Sequence, residues 1–150
     1  MSLNILLAED DIDDRFFFAQ ALKELPIHTH LVTVHDGEQL MDYLSKHLND
    51  LPDVLFLDLS MPQKSGFECL AEIKEEMQLV EMPVIMFSTA FPRDNHYEQG
   101  LIKMLLNMGA QGFIRKPSNF NLLKDIIHQW LNKVIDNKAK LKSDILDPSV

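Results

Sequence analysis

Five short apolar or β-branched runs alternate strictly with five longer stretches of helical spacing, and this alternation limits the fold more than any other feature. The runs cover residues 4–8, 31–34, 54–57, 84–87 and 112–114, and the helical stretches about 12–24, 37–48, 65–79, 95–108 and 119–135. A short apolar run bounded by turn signals reads as a buried strand. Strands and helices in strict alternation predict a parallel sheet covered by helices on both faces. Residues 54–57 (VLFL) and 84–87 (VIMF) are apolar throughout, as central strands of such a sheet should be. Pro26 closes the first helix, Asp36 caps the second, and Ser118 is placed to cap the last.

The bulk numbers restrict the function classes. With 150 residues the chain makes one domain most economically. That domain is expected over residues 1–135, and residues 136–150 read as a polar, frayed extension too short to be an output domain. The formal charge of −9 favours solubility and opposes nonspecific binding to phosphate backbones, so no direct DNA binding is expected. One cysteine, Cys69, cannot form an internal disulfide, which suits a reducing cytoplasm, and it reads as helix packing. No apolar run is long enough to span a bilayer, and the first residues (MSLNILLAEDD) lack the basic start of a signal peptide. The expected location is cytoplasmic, away from the membrane. The six histidines are scattered without ligand spacing.

Ligands of open parallel sheets bind beyond the carboxyl ends of the strands. The first run is followed by Glu9, Asp10 and Asp11, the third by Asp58, the fourth by Ser88 and Thr89, and the fifth by Lys116. Glu9, Asp10 and Asp58 on one rim would carry three negative charges, a repulsion that something must neutralise. A hard divalent cation with oxygen ligands does this, and Lys116 adds a further positive charge. Metal, ammonium and hydroxyl together suit a dianionic phosphoryl group, with Asp58 as nucleophile. Taken singly each residue has a plainer reading: Asp11, Asp13 and Asp14 cap a helix, Ser88 lies in a turn, and Lys116 faces solvent. The joint occurrence in order at four rims carries the weight.

The motifs ILLAEDD, LFLDLSMPQKSG, PVIMFSTA and GAQGFIRKP resemble the receiver domain of bacterial two-component response regulators, over roughly residues 3–135. The resemblance implies a flavodoxin-like (βα)5 α/β three-layer sandwich with a parallel five-stranded sheet in the order 2-1-3-4-5. It implies Asp58 as phosphoacceptor and Mg2+ as cofactor. Asp10 would bind the metal directly, Glu9 would help through water, and the backbone carbonyl of Ser60 would complete the protein's share. Asp11 is the fallback for the acidic pair. Ser88, or Thr89 beside it, matches the switch hydroxyl, Lys116 the phosphoryl-binding lysine, and Phe113 the aromatic switch. Pro117 often follows a cis peptide bond in this family, and Gly66 would supply backbone freedom at the entry to the third helix.

The implied function is phosphoryl transfer to Asp58 from a sensor histidine kinase or a histidine phosphotransfer protein. Such a protein performs only self-catalysed transfer and autodephosphorylation, and its output is contact with a downstream protein partner. Broad apolar arcs on the fourth helix (Leu101 to Met108) and the fifth (Leu122 to Ile135) suit an interface or a homodimer through the face of fourth helix, fifth strand and fifth helix. In the first helix Phe16, Phe17 and Phe18 are consecutive, so one must face away from the core, where a phosphodonor would dock. Two departures stand out. The stretch from Ser88 to Gly109 is about six residues longer than usual, with the excess in AFPRDNHYEQG, which implies a longer loop or an extended fourth helix. Ser60 and Ala90 offer no amide or carboxylate to orient a hydrolytic water, which implies slow self-dephosphorylation. The alternatives are a Mg2+-dependent phosphohydrolase with Asp58 as nucleophile, disfavoured by Ser60 where a second acid would stand, and a receiver-like scaffold that is never phosphorylated.

Overall fold

The computed structural model describes residues 2–89 and 95–146. Its elements alternate as β1 (Leu3–Ala8), α1 (Ile12–Glu24), β2 (Thr29–Val34), α2 (Gly37–Lys46), β3 (Val54–Asp58), α3 (Gly66–Glu75), β4 (Val84–Ser88), α4 (Asn95–Asn107), β5 (Gly112–Arg115) and α5 (Phe120–Leu146). The strands form one parallel sheet in the order β2-β1-β3-β4-β5, as expected. The order reverses beside β1, between its neighbours β2 and β3, which opens a crevice at the carboxyl ends of β1 and β3. Among the described residues no helix is long and apolar enough to cross a membrane.

Alternation along each strand sorts the core into two layers. Leu6, Ala8, Leu55, Leu57, Val84 and Met86 pack with Leu40, Leu44, Leu70, Ile73, Leu101 and Leu105 of α2, α3 and α4. The intervening residues Ile5, Leu7, Val54, Phe56, Ile85 and Phe87 pack with α1 and α5 on the other side. Both faces of the central strands are therefore apolar, and each fully buried Leu or Phe stabilises by about 1.5–3 kcal/mol. Phe18 sits edge-on to Phe56 and Phe87, with ring centroids 5.0 and 5.9 Å away. Of the three consecutive phenylalanines it alone is buried; Phe16 and Phe17 both face outward, because one helical face cannot hold adjacent residues.

Several local expectations are corrected. The helix of residues 120–146 runs eleven residues past the expected end, so 136–146 is helical rather than frayed. That stretch has neither Gly nor Pro and is rich in Lys and Leu, so extending a formed helix costs little. Lys138 of the extension also pairs with Asp53, just before β3. α3 stops at Glu75, since Glu76 turns to an extended conformation (φ −90°, ψ 119°). Asn119 rather than Ser118 caps α5, its Oδ1 accepting from Leu122 N at 3.0 Å. Asp36 caps α2 as expected, accepting from Gln39 N at 2.8 Å. No cis peptide bond occurs among the described residues, so Lys116–Pro117 is trans.

Candidate functional site

The four strand ends meet at the crevice. Glu9 follows β1 directly, and its N–H donates to Val34 O of β2, which continues the ladder by one residue. This pins Glu9 inward at 1% exposure, while Asp10, one step on, turns out to solvent. Arg15 fixes the turn between them: its Nη1 donates to the carbonyls of Glu9 and Asp10, both at 2.9 Å. Asp11 caps α1, accepting from Asp14 N at 3.0 Å, so the capping reading holds for it. One ligand atom from each of Glu9, Asp10 and Asp58 lies within 4.8 Å of the others.

Asp58 is the last residue of β3, paired in register with Phe87, and is 4% exposed. Its Oδ1 accepts from Ser60 N at 3.2 Å, and its Oδ2 lies 3.5 Å from Lys116 Nζ. The turn that follows depends on close backbone approach. A Cβ on Gly66 would sit 2.2 Å from Asp58 O, so glycine is required here for space; its φ is not positive. The left-handed residue of the turn is Gln63, at φ 68°. Backbone freedom at Gly66, expected from the sequence, is thus replaced by steric necessity.

Lys116 follows β5, held by its N–H donating to Ser88 O at 2.7 Å. Its ammonium lies 2.5 Å from Glu9 Oε1, 3.0 Å from Asp14 Oδ2 and 5.5 Å from the centre of the Phe87 ring. Burial alone would lower the lysine's pKa, but the close pairing with Glu9, the charge of Asp58 and the bond to Asp14 outweigh it and raise it. Glu9 moves far from an ordinary carboxyl group: burial, reinforced by the Asp58 carboxyl beside it and only partly offset by Lys116, raises it to about 8. One buried lysine does not balance two buried carboxylates, and the excess negative charge favours the protonated form of Glu9. The contact of Glu9 Oε1 with Lys116 is an ion pair without hydrogen-bond alignment, which leaves that buried oxygen short of a directed donor. A hard cation with oxygen ligands fits this donor set.

Ser88 is buried, and its Oγ donates to Thr89 O at 3.2 Å; Thr89 itself is exposed. Phe113 is half-buried against the layer of α2, α3 and α4. Ala90 and the start of the long segment after β4 lie outside the described residues, and α4 begins at Asn95. Cys69 is buried, and burial pushes its thiol up to about 12, in keeping with a packing role. Beside the pocket a cleft of about 300 Å³ is lined by Asp14, Phe17, Phe87, Lys116, Phe120 and Leu123.

Three contacts escaped sequence reasoning. Asp14 binds Lys116 instead of capping the helix, Arg15 clasps the β1–α1 turn, and Arg115 pairs with the buried Glu98 of α4. An acid in a first helical turn is so well explained by the helix dipole that no local signal separates Asp14 from its neighbours.

A doubly wound parallel sheet with an acidic crevice closed by a lysine defines a class of α/β proteins with a charged ligand site at the switch point. Within that class, the model of the response regulator receiver domain matches residues 5–128, and the chain belongs to this family. It is 34% identical over 138 residues to response regulator Rcp1 of Synechocystis sp., covering 87% of this chain and 90% of that protein. It is 27% identical to a probable methanogenesis regulatory protein, FilR2, of Methanothrix harundinacea, covering 85% and 83%. Among solved structures, the Mn2+-bound form of Rcp1 superposes with a TM-score of 0.73 at 28% identity, covering 86% of this chain and 94% of that one. The phosphorylated cyanobacterial phytochrome response regulator RcpA gives 0.73 at 31%, covering 85% and 89%. Receiver domains act in two-component signalling, bind Mg2+ or Mn2+ at their acidic pocket, and interact with histidine kinases and downstream targets.

Proposed function

We propose that Asp58 accepts a phosphoryl group from a phosphohistidine on a sensor histidine kinase or a histidine phosphotransfer protein. The observation that carries this reading is a buried carboxylate set between two further acids and one lysine, at the mouth of the crevice. An Asp58 oxygen forms the new bond to phosphorus as the nitrogen–phosphorus bond breaks and the imidazole leaves with its electron pair. Glu9, Asp10, Asp58 and the carbonyl of Ser60 would hold Mg2+, which supplies charge neutralisation to the transferring group. Lys116 pairs with a phosphoryl oxygen, and Arg15 keeps the acidic turn in place. The Ser88 hydroxyl leaves Thr89 O and turns to the phosphoryl group, and Phe113 moves deeper into the layer it already touches.

Exposed Phe17 lines the cleft beside Lys116, with Phe87, Phe120 and Leu123 as its apolar companions, which suits docking of an apolar donor helix. On the other side, Tyr97, Met104 and Leu106 of α4 are exposed, which suits output or a homodimer through α4, β5 and α5. The deciding test is incubation with Mg2+ and a small acyl phosphate, followed by intact-mass measurement of wild type beside Asp58→Asn. Gain of one phosphoryl group in the wild type alone is the expected result. Equal labelling of both, or none in either, would overturn the assignment.

A further inference from the structure

We propose that Asp14 is a positioning residue for Lys116: it holds the ammonium on the α1 side of the pocket while a divalent cation takes Glu9, Asp10 and Asp58. The inference rests on the receiver chemistry proposed above.

An ammonium has three donors, and here three carboxyl groups surround it. Two of them, Glu9 and Asp58, belong to the acidic trio, whereas Asp14 stands outside it. The lysine side chain is only 12% exposed. If a cation drew Glu9 and Asp58 away, the lysine would be left in a closed place with the Phe87 ring as its other neighbour, a costly state for a charge. Asp14 removes that cost. Its own N–H is committed to the Asp11 cap, and Arg15 ties the start of the same helix to the carbonyls of Glu9 and Asp10. The carboxylate is therefore presented from a fixed turn, 3.0 Å from the ammonium. Without its charge, Lys116 falls back on Glu9 and Asp58 and competes with the cation for them.

A double-mutant cycle tests this. Mg2+ affinity is measured by calorimetry at fixed ionic strength for wild type, Asp14→Asn, Lys116→Met and the double variant, with melting curves to confirm folding. In the Lys116 background, Asp14→Asn should weaken binding about two- to five-fold, the range of a partly exposed ion pair. In the Lys116→Met background the same change should leave affinity unaltered. No loss in the first background, or equal loss in both, would overturn the proposal. A second measurement needs single variants only: the shift of the Lys116 Nζ resonance on adding Mg2+ should be larger in Asp14→Asn than in the wild type, and equal shifts would refute it. A wild type that binds no divalent cation would sink the receiver chemistry together with this inference. A wild type that binds Mg2+ and is phosphorylated at Asp58 but shows no coupling would sink this inference alone.

Discussion

Mg2+ binding should be strongly pH-dependent in a range where ordinary carboxyl groups no longer titrate. Glu9 is held up to about 8, first by burial and then by the neighbouring Asp58 carboxyl, against the pull of Lys116. In the proposed site the metal takes Glu9 as a carboxylate, so binding should expel the proton. Below pH 8 the apparent affinity should fall by up to about tenfold per pH unit, one proton being displaced per metal bound. Above pH 8 the dependence should flatten. Calorimetry in buffers of different ionisation enthalpy reads both quantities, since the proton released on binding appears as buffer heat. Glu9→Gln mimics the protonated form, so its affinity should be weak and flat from pH 6 to 8. The same shift acts on folding. A carboxyl group raised in the folded state contributes stability that is complete below its ordinary value near 4.5 and is lost as pH rises through about 8. Metal-free Glu9→Gln should therefore melt above the metal-free wild type at pH 8.5, with the gap closing towards pH 5. A wild-type affinity constant within about twofold from pH 6 to 8, with no proton released, would refute the reasoning.

Two further outcomes are expected. Gly66→Ala forces a methyl group to within 2.2 Å of Asp58 O, so the turn must shift. Urea unfolding should show a loss of about 1–3 kcal/mol, accompanied by slower labelling by acyl phosphate, and an unchanged midpoint would contradict the steric argument. Cys69, buried and with its thiol pushed up to about 12, should resist thiol reagents in the native protein at pH 8 and react fully in urea. Rapid native labelling would mean that α3 opens readily.

The sheet was legible because its cause is local. Apolar runs of strand length such as VLFL and VIMF can be satisfied only by burial on both faces, and the helical stretches between them supply the cover. Asp36 was readable for the same reason, since a cap acts within one turn. The end of α5 is not legible from polarity, because helix propensity and the Lys138–Asp53 pair keep the polar residues 136–146 helical. Glu9, Asp10, Asp58, Ser88 and Lys116 could be named as one rim because strand ends of a parallel sheet share one edge.

What the sequence determines by itself is the set of charges delivered to that edge: three acids, a hydroxyl and a lysine, at the ends of strands that strand–helix alternation makes parallel. How those charges divide among themselves was decided by tertiary structure alone. Glu9 and Asp10 are adjacent in the chain, yet one is sealed in the sheet with its carboxyl pushed up to about 8 while the other meets water. Asp14 and Lys116 are 102 positions apart and share an ion pair that no local pattern announces. Charge type is a property of the residue, but burial and distance belong to the packed chain, and they set the energy of each charge.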